Sequence, residues 1–184
     1  MHDLTIRNGT IVDGSGEERF TGDIGIADGK IRQVSHAGTL QPGTQDIDAS
    51  GHLVTPGFVD IHAHGQTEEA YRLMVQDGVT SGFELEIGTA HVAKWYKQRT
   101  GGQVLNYGIS IGHIPIRMVL FEDPGSYWPM SAGGSGIAGP KIMDRMAEMM
   151  RQGIAEGAVA VGFGLAYTPA ATEAEFKAML DIAT

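Results

Sequence analysis

The sequence predicts an α/β protein. A small N-terminal β-unit is followed by strand–helix units forming a parallel sheet, either doubly wound or part of a (β/α)8 barrel. Three observations carry this reading. Residues 1–52 hold short alternating segments punctuated by Asn8-Gly9 and Asp28-Gly29, dipeptides that favour tight hairpin turns. Residues 53–184 switch to apolar strand-like runs that alternate with helix-spaced ones. Hydrophobic residues make up 42% of the 184-residue chain, an ordinary value for a packed core.

Taken in order, Leu4-Thr5-Ile6-Arg7 alternates, Asn8-Gly9 is expected to turn, and Thr10-Ile11-Val12 to return. Asp23-Ile24-Gly25-Ile26 and Lys30-Ile31-Arg32-Gln33-Val34 form a second hairpin around Asp28-Gly29. The core of so small a unit is thin. Residues 53–61 are an apolar strand broken at Pro56-Gly57 and ending in His62-Ala63-His64. Residues 67–76 have helical spacing through Ala70, Leu73 and Met74, and 79–87 are strand-like. Residues 90–99 read as a helix with Val92, Trp95 and Tyr96 on a core-facing side, 104–116 as β-rich, and 122–140 as a Gly/Pro-rich loop. An amphipathic helix covers 142–156, with Ile142, Met146, Met149 and Met150 on one face, and 158–163 form a short buried strand. Thr172-x-x-Glu175 is a capping box that opens a last helix.

Charge and composition exclude several classes. A net charge of −9 opposes phosphate-backbone binding, so no nucleic-acid partner is expected. With no cysteine there is neither a disulfide framework nor a thiolate zinc site, so a metal must be held by His, Asp, Glu or a modified Lys. The first residues lack a signal-peptide pattern and no apolar stretch reaches membrane-spanning length. A cytoplasmic protein without a membrane partner is the expectation.

The strongest chemical signal is His62-x-His64 at the end of an apolar strand. Side chains alternate along a strand, so both imidazoles face one way, and two imidazoles a strand period apart can share a divalent metal. The C-terminal end of a parallel strand is where α/β enzymes keep their chemistry. The stretch Val54-Thr55-Pro56-Gly57-Phe58-Val59-Asp60-Ile61-His62-Ala63-His64 resembles the first barrel strand of the amidohydrolase superfamily. Ile6-Arg7-Asn8-Gly9-Thr10-Ile11-Val12-Asp13-Gly14 and Asp28-Gly29-Lys30-Ile31 resemble its N-terminal β-segment. Within the superfamily the chain is most similar to the N-acyl-D-amino-acid deacylases. Gly78-Val79-Thr80-Ser81 matches the start of their second strand, and Gly164-Leu165-Ala166-Tyr167-Thr168-Pro169 the loop after their fourth.

The resemblance implies a small N-terminal β-unit (1–52) followed by the first half of a (β/α)8 TIM-type barrel (53–184). It implies one or two Zn2+ ions at His62 and His64, and a small-molecule N-acyl amino acid or related amide as substrate. Two departures matter. The deacylases usually carry an acidic residue after the second His, where this chain has Gly65-Gln66. Their second strand usually ends in a metal-contacting cysteine, where this chain has Glu84-Leu85-Glu86. Glu84 and Glu86 share a face. Glu86 lies nearer the strand's C-terminal end and is the expected replacement ligand, with Glu84 the alternative. Many superfamily members bridge two metals with a carboxylated lysine on strand four, but Ala158-Val159-Ala160-Val161-Gly162-Phe163-Gly164 offers none.

Tyr167 is a candidate substrate contact. His113 is expected to be structural, and His2, His36, His52 and His91 to lie at the surface. Gly133-Gly134-Ser135-Gly136 reads as a flexible active-site loop. The proton-shuttling aspartate that the resemblance implies lies beyond Thr184, so no catalytic residue is assigned within the chain. A complete barrel needs about 250 residues. The chain therefore reads as an N-terminal fragment, with assembly into a homo-oligomer as the alternative. Three functions stay open: a deacylase, a different amidohydrolase such as a dipeptidase or cyclic amidase, or a non-catalytic remnant acting as a binding or structural module.

Overall fold

The computed structural model describes residues 1–183. Its contacts divide into one unit of Met1–Gly57 and a second that begins at Phe58. The first is a five-stranded sheet of β1 (Leu4–Ile11), β2 (Phe20–Ala27), β3 (Lys30–His36), β4 (Gln45–Asp48) and β5 (Leu53–Val54). Its order is β3-β2-β1-β4, with β5 also on β1. The β1–β2 and β2–β3 pairs are antiparallel, while β4 and β5 run parallel to β1.

Asp28-Gly29 forms the expected tight hairpin turn, with φ of 53° and 68°, the left-handed pair that a type I′ turn requires. Asn8-Gly9 does not turn. β1 runs straight through it, with Asn8 at φ 59° and the register shifting between Ile6 and Gly9. An Asn-Gly pair signals left-handed backbone, which a β-bulge uses as readily as a hairpin. Buried Asp23 on the neighbouring strand fixes the bulge by accepting the Asn8 N–H at 2.9 Å. The core here is thin, as expected: Ile11 and Ile24 are buried, but Ile31, Val34, Ile47 and Leu53 are exposed.

The second unit contains β6 (Phe58–Asp60), α1 (Glu68–Gln76), β7 (Val79–Thr89), α2 (Val92–Lys97), β8 (Asn106–Gly112), α3 (His113–Leu120), α4 (Ala132–Ser135), α5 (Pro140–Ala155), β9 (Ala160–Gly162) and α6 (Glu173–Leu180). Its four strands are all parallel and lie in chain order, β6-β7-β8-β9. A doubly wound sheet reverses strand order at its switch point. The unreversed order is that of a curling half-barrel. Phe58 and Val59 on edge strand β6, and Val159 just before edge strand β9, are exposed apolar residues.

The helices pack on one face through Val92, Ile109, Ile111, Ile116, Met146, Met150 and Met179, with Trp95 and Tyr96 partly buried against them. Thr67 caps α1 by accepting the Ala70 N–H, and Thr172 caps α6 by accepting the Glu175 N–H. The expected β-run over 104–116 is shorter than its composition suggested, because the chain turns helical at His113. Gly112 supplies the extended N-cap, and Pro115 sits in the first turn, where its missing N–H costs nothing. Ile114 and Ile116 are wholly buried on this helix, so packing overrides their β-preference.

Candidate metal centre

The first strand ends at Asp60, so His62 and His64 lie just beyond it rather than on it. Backbone pairing of His62 with Glu84, and the bond from Ala63 N–H to Phe83 O at 2.9 Å, carry the chain on alongside β7. The two imidazoles therefore still converge, with ring centroids 4.5 Å apart and planes at 85°.

His62 Nε2 lies 3.1 Å from Glu86 Oε2, and His64 Nε2 lies 3.4 Å from the same oxygen. One ligand atom from each of His62, His64 and Glu86 falls within 4.8 Å of the others. Ligand bonds of about 2.0–2.1 Å in a tetrahedral zinc site put neighbouring ligand atoms about 3.3 Å apart. The two measured separations bracket that edge, and two imidazoles with one carboxylate are a common zinc donor set. The residues present fit the ion.

Glu84 does a different job. Its side chain is 4% exposed, and one carboxylate oxygen contacts His64 Nδ1. The other accepts the N–H groups of Glu86 and Ile87, at 3.1 and 3.0 Å. With Nδ1–H donated to Glu84, the His64 lone pair is on Nε2, which points at Glu86. Such an outer carboxylate fixes the tautomer and orientation of a ligating histidine.

Among the residues that sequence patterning passed over, Tyr127 stands edge-on to His64, centroids 6.1 Å apart. Burial, then the charges of Glu84 and Glu86, raise its hydroxyl above the usual tyrosine pKa. Trp128 stacks on Tyr167 with planes 5° apart. Tyr167 lies in a single 3-10 turn, Leu165–Tyr167, reached through Gly164. A side chain at Gly164 would come within 3.0 Å of the Tyr167 ring and 3.5 Å of Glu86 Oε1. Tyr127 and Trp128 sit in an aperiodic Gly/Pro-rich stretch. Their only signal was two adjacent aromatics among small residues.

The loop that carries them is tied down. Asp123 accepts the N–H groups of Gly125, Met130, Ser131 and Gly133 at 2.8–2.9 Å. Burial opposes its ionisation, but these four donors outweigh it and hold the carboxyl well below the usual range. The segment Gly133-Gly134-Ser135-Gly136, expected to be a flexible loop, instead forms most of the short helix Ala132–Ser135 and its C-cap Gly136, with Gly133 and Gly134 buried. Buried Arg117 donates to the carbonyls of Gly133 and Gly136 and pairs with Glu175 Oε1 at 2.6 Å. His113 is fully buried with Nε2 2.8 Å from the same Glu175 oxygen, a structural setting. His36, His52 and His91 are exposed and His2 is half-buried. Lys141 and Lys177 lie on α5 and α6, and β9 carries no lysine.

No family model matches the chain. Over 65 residues it is 48% identical to a D-hydantoinase of Ralstonia pickettii, 35% of this chain and 13% of that protein. Over 84 residues it is 39% identical to an adenine deaminase of Halalkalibacterium halodurans, 43% of this chain and 14% of that protein. An N-acyl-D-glutamate deacylase of Alcaligenes xylosoxydans xylosoxydans aligns with 98% of the chain at 24% identity, and the chain spans 41% of it. Among solved structures, the N-acyl-D-glutamate deacylase of Bordetella bronchiseptica, complexed with zinc and a phosphonate inhibitor, superposes with a TM-score of 0.82 at 23% identity. That match covers 99% of this chain and 43% of the other. A D-aminoacylase described as defining a novel subset of amidohydrolases matches with a TM-score of 0.81 at 19% identity, over 97% of this chain and 42% of that one. The chain thus spans less than half of each of these relatives, and what it shares with the deacylase structures is their fold, from the N-terminal β-unit through the first half of the barrel.

Proposed function

We propose that this chain supplies the first part of a metal-dependent hydrolase of amide C–N bonds, acting on N-acyl-D-amino acids. The observation that carries the reading is the convergence of His62 Nε2, His64 Nε2 and Glu86 Oε2 at the C-terminal end of β6 and β7. A zinc ion bound there would supply Lewis acidity toward an amide carbonyl and bring water toward neutral pKa. Glu84 would keep the His64 lone pair on Nε2, and Tyr167, in the turn after Gly164, would contact substrate. Segment identity to a hydantoinase and a deaminase covers under half the chain and leaves the chemistry open. The deacylase fold accounts for 99% of it at a TM-score of 0.82, against 0.56 for an L-hydantoinase, which favours the deacylase reading. Among the described residues no helix is long and apolar enough to cross a membrane, and a cytoplasmic setting is part of the proposal.

The deacylase likeness implies a proton-shuttling aspartate in addition to His62, His64 and Glu86. The 184-residue chain is therefore expected to bind zinc without turnover, and a longer polypeptide containing it to hydrolyse N-acyl-D-amino acids. Catalytic groups that act as a unit lose most of their rate when one is removed. Zinc titration, with hydrolysis assays on paired D- and L-substrates, tests this. His62→Ala should abolish activity of the longer polypeptide and weaken zinc binding. Turnover by this chain alone would remove the need for further residues, and absence of zinc binding would remove the metal.

A further inference from the structure

A cleft borders the ring of Tyr127. It has a volume of about 300 Å³ and lies between the end of β7 and α3, with Ile87, Pro115, Met118 and Val119 as its apolar lining. Tyr127 closes one side of it. The same ring stands edge-on to His64, so one side chain borders both the metal ligands and the cleft. No lysine or arginine lines the cavity, whose polar lining includes Thr89, Ser126 and the exposed His91. Its one carboxylate, Asp123, accepts four backbone N–H groups and the Ser131 hydroxyl.

We propose that this cleft receives the acyl group of an N-acyl amino acid whose amide lies at the His62–His64–Glu86 centre, with Tyr127 determining which acyl groups fit. The inference rests on the amide-hydrolase reading. Charge decides which half of the substrate enters. The amino-acid half carries a carboxylate that calls for a permanently charged partner, and the cleft has no lysine or arginine to supply one. The acyl half is uncharged, and the apolar side chains reward its burial. The volume lies at the lower limit of small-molecule pockets, which suits an aliphatic chain of moderate length. Asp123 acts as a positioning residue: its bonds to Gly125 and Met130 flank Tyr127 and hold the wall in place.

The test is calorimetric titration of the zinc-loaded protein with N-acetyl-, N-butanoyl-, N-hexanoyl- and N-octanoyl-D-alanine, with a zinc titration alongside. Affinity should tighten by about fourfold per methylene buried and then level off when the cleft is full. Val119→Trp, at a rim position that is 45% exposed, should move the plateau to shorter chains. Met118→Ala should move it to longer ones, and Tyr127→Ala should flatten the series, each with zinc affinity unchanged. Circular dichroism identifies any variant that fails to fold, and the exposed Val119 position keeps the test valid if Met118→Ala does. Zinc binding with a series flat from acetyl to octanoyl, or a Val119→Trp series matching the parent's, overturns the cleft assignment alone. A length-dependent series on a protein that fails to hold zinc supports the cleft and refutes the metal reading instead.

Discussion

Replacing Glu84 by Gln separates the two carboxylates of the centre. The Glu84 carboxylate is buried and fully used: one oxygen takes the His64 Nδ1–H and the other takes two backbone N–H groups of β7. Glutamine has the same shape but only one acceptor oxygen. If that oxygen stays with the N–H groups of Glu86 and Ile87, the amide NH2 faces His64 and favours the tautomer protonated on Nε2. That tautomer cannot bind metal. Loss of such an outer partner typically weakens metal affinity by about 10–100-fold, or about 1.4–2.8 kcal/mol. Glu86→Gln removes a ligand rather than its support and should cost more. Competition of each variant with a chelator of known zinc affinity measures both. Wild-type affinity in Glu84→Gln would refute the supporting role. A larger loss in Glu84→Gln than in Glu86→Gln would show that the ligand had been assigned to the wrong carboxylate.

Three further outcomes are expected. Arg117→Met leaves Glu175 buried without its cation and should lower unfolding free energy by about 3–5 kcal/mol, measured by urea denaturation. A change under about 1 kcal/mol would contradict it. Glu175 sits below its ordinary value of 4.5: burial opposes ionisation, but the His113 and Arg117 hydrogen bonds and charges outweigh it. A depressed folded pKa means this stabilisation is complete above 4.5 and is lost as pH falls through the folded value. Acid unfolding followed by circular dichroism should therefore steepen below pH 4.5, and less so in Glu175→Gln. Gly112→Ala would place a Cβ 1.8 Å from the Ile87 carbonyl oxygen. The backbone shift needed should cost at least about 1–3 kcal/mol, read as a lower thermal midpoint.

Much of the fold was legible because its signals are local. The Asp28-Gly29 hairpin, the Thr172 cap and the methionine stripe of α5 each follow from a few neighbouring residues. Three readings failed where distant partners decide between structures that a local signal leaves open. Asn8-Gly9 demands left-handed backbone, and β1 meets it with a bulge whose free N–H is taken by Asp23, fifteen residues away, instead of with a hairpin. The β-branched run through Ile116 bends into α3 because the buried packing around Ile114 and Ile116 outweighs propensity. The glycine segment around Gly134 reads as loose by composition, yet Arg117 holds two of its carbonyls. Long-range partners of that kind leave no periodic trace.

The site shows the same division at finer scale. Strand alternation puts Glu84 and Glu86 on one face, and both do reach the histidines. Alternation cannot say which is ligand and which is support. The distinction comes from β7 itself, whose pairing with β8 shifts register between Glu84 and Thr89. Glu84 still lies in the regular ladder, opposite Ile109, and its carboxylate turns back to accept the N–H groups of Glu86 and Ile87 where the ladder lapses. That leaves its second oxygen facing His64 Nδ1. Glu86, past the ladder's regular end, has no backbone to serve, and its carboxylate faces both Nε2 atoms. Where the β7–β8 register lapses, two positions on one strand face come to differ: Glu84 is a buried anchor, and Glu86 a half-exposed carboxylate free to face a metal.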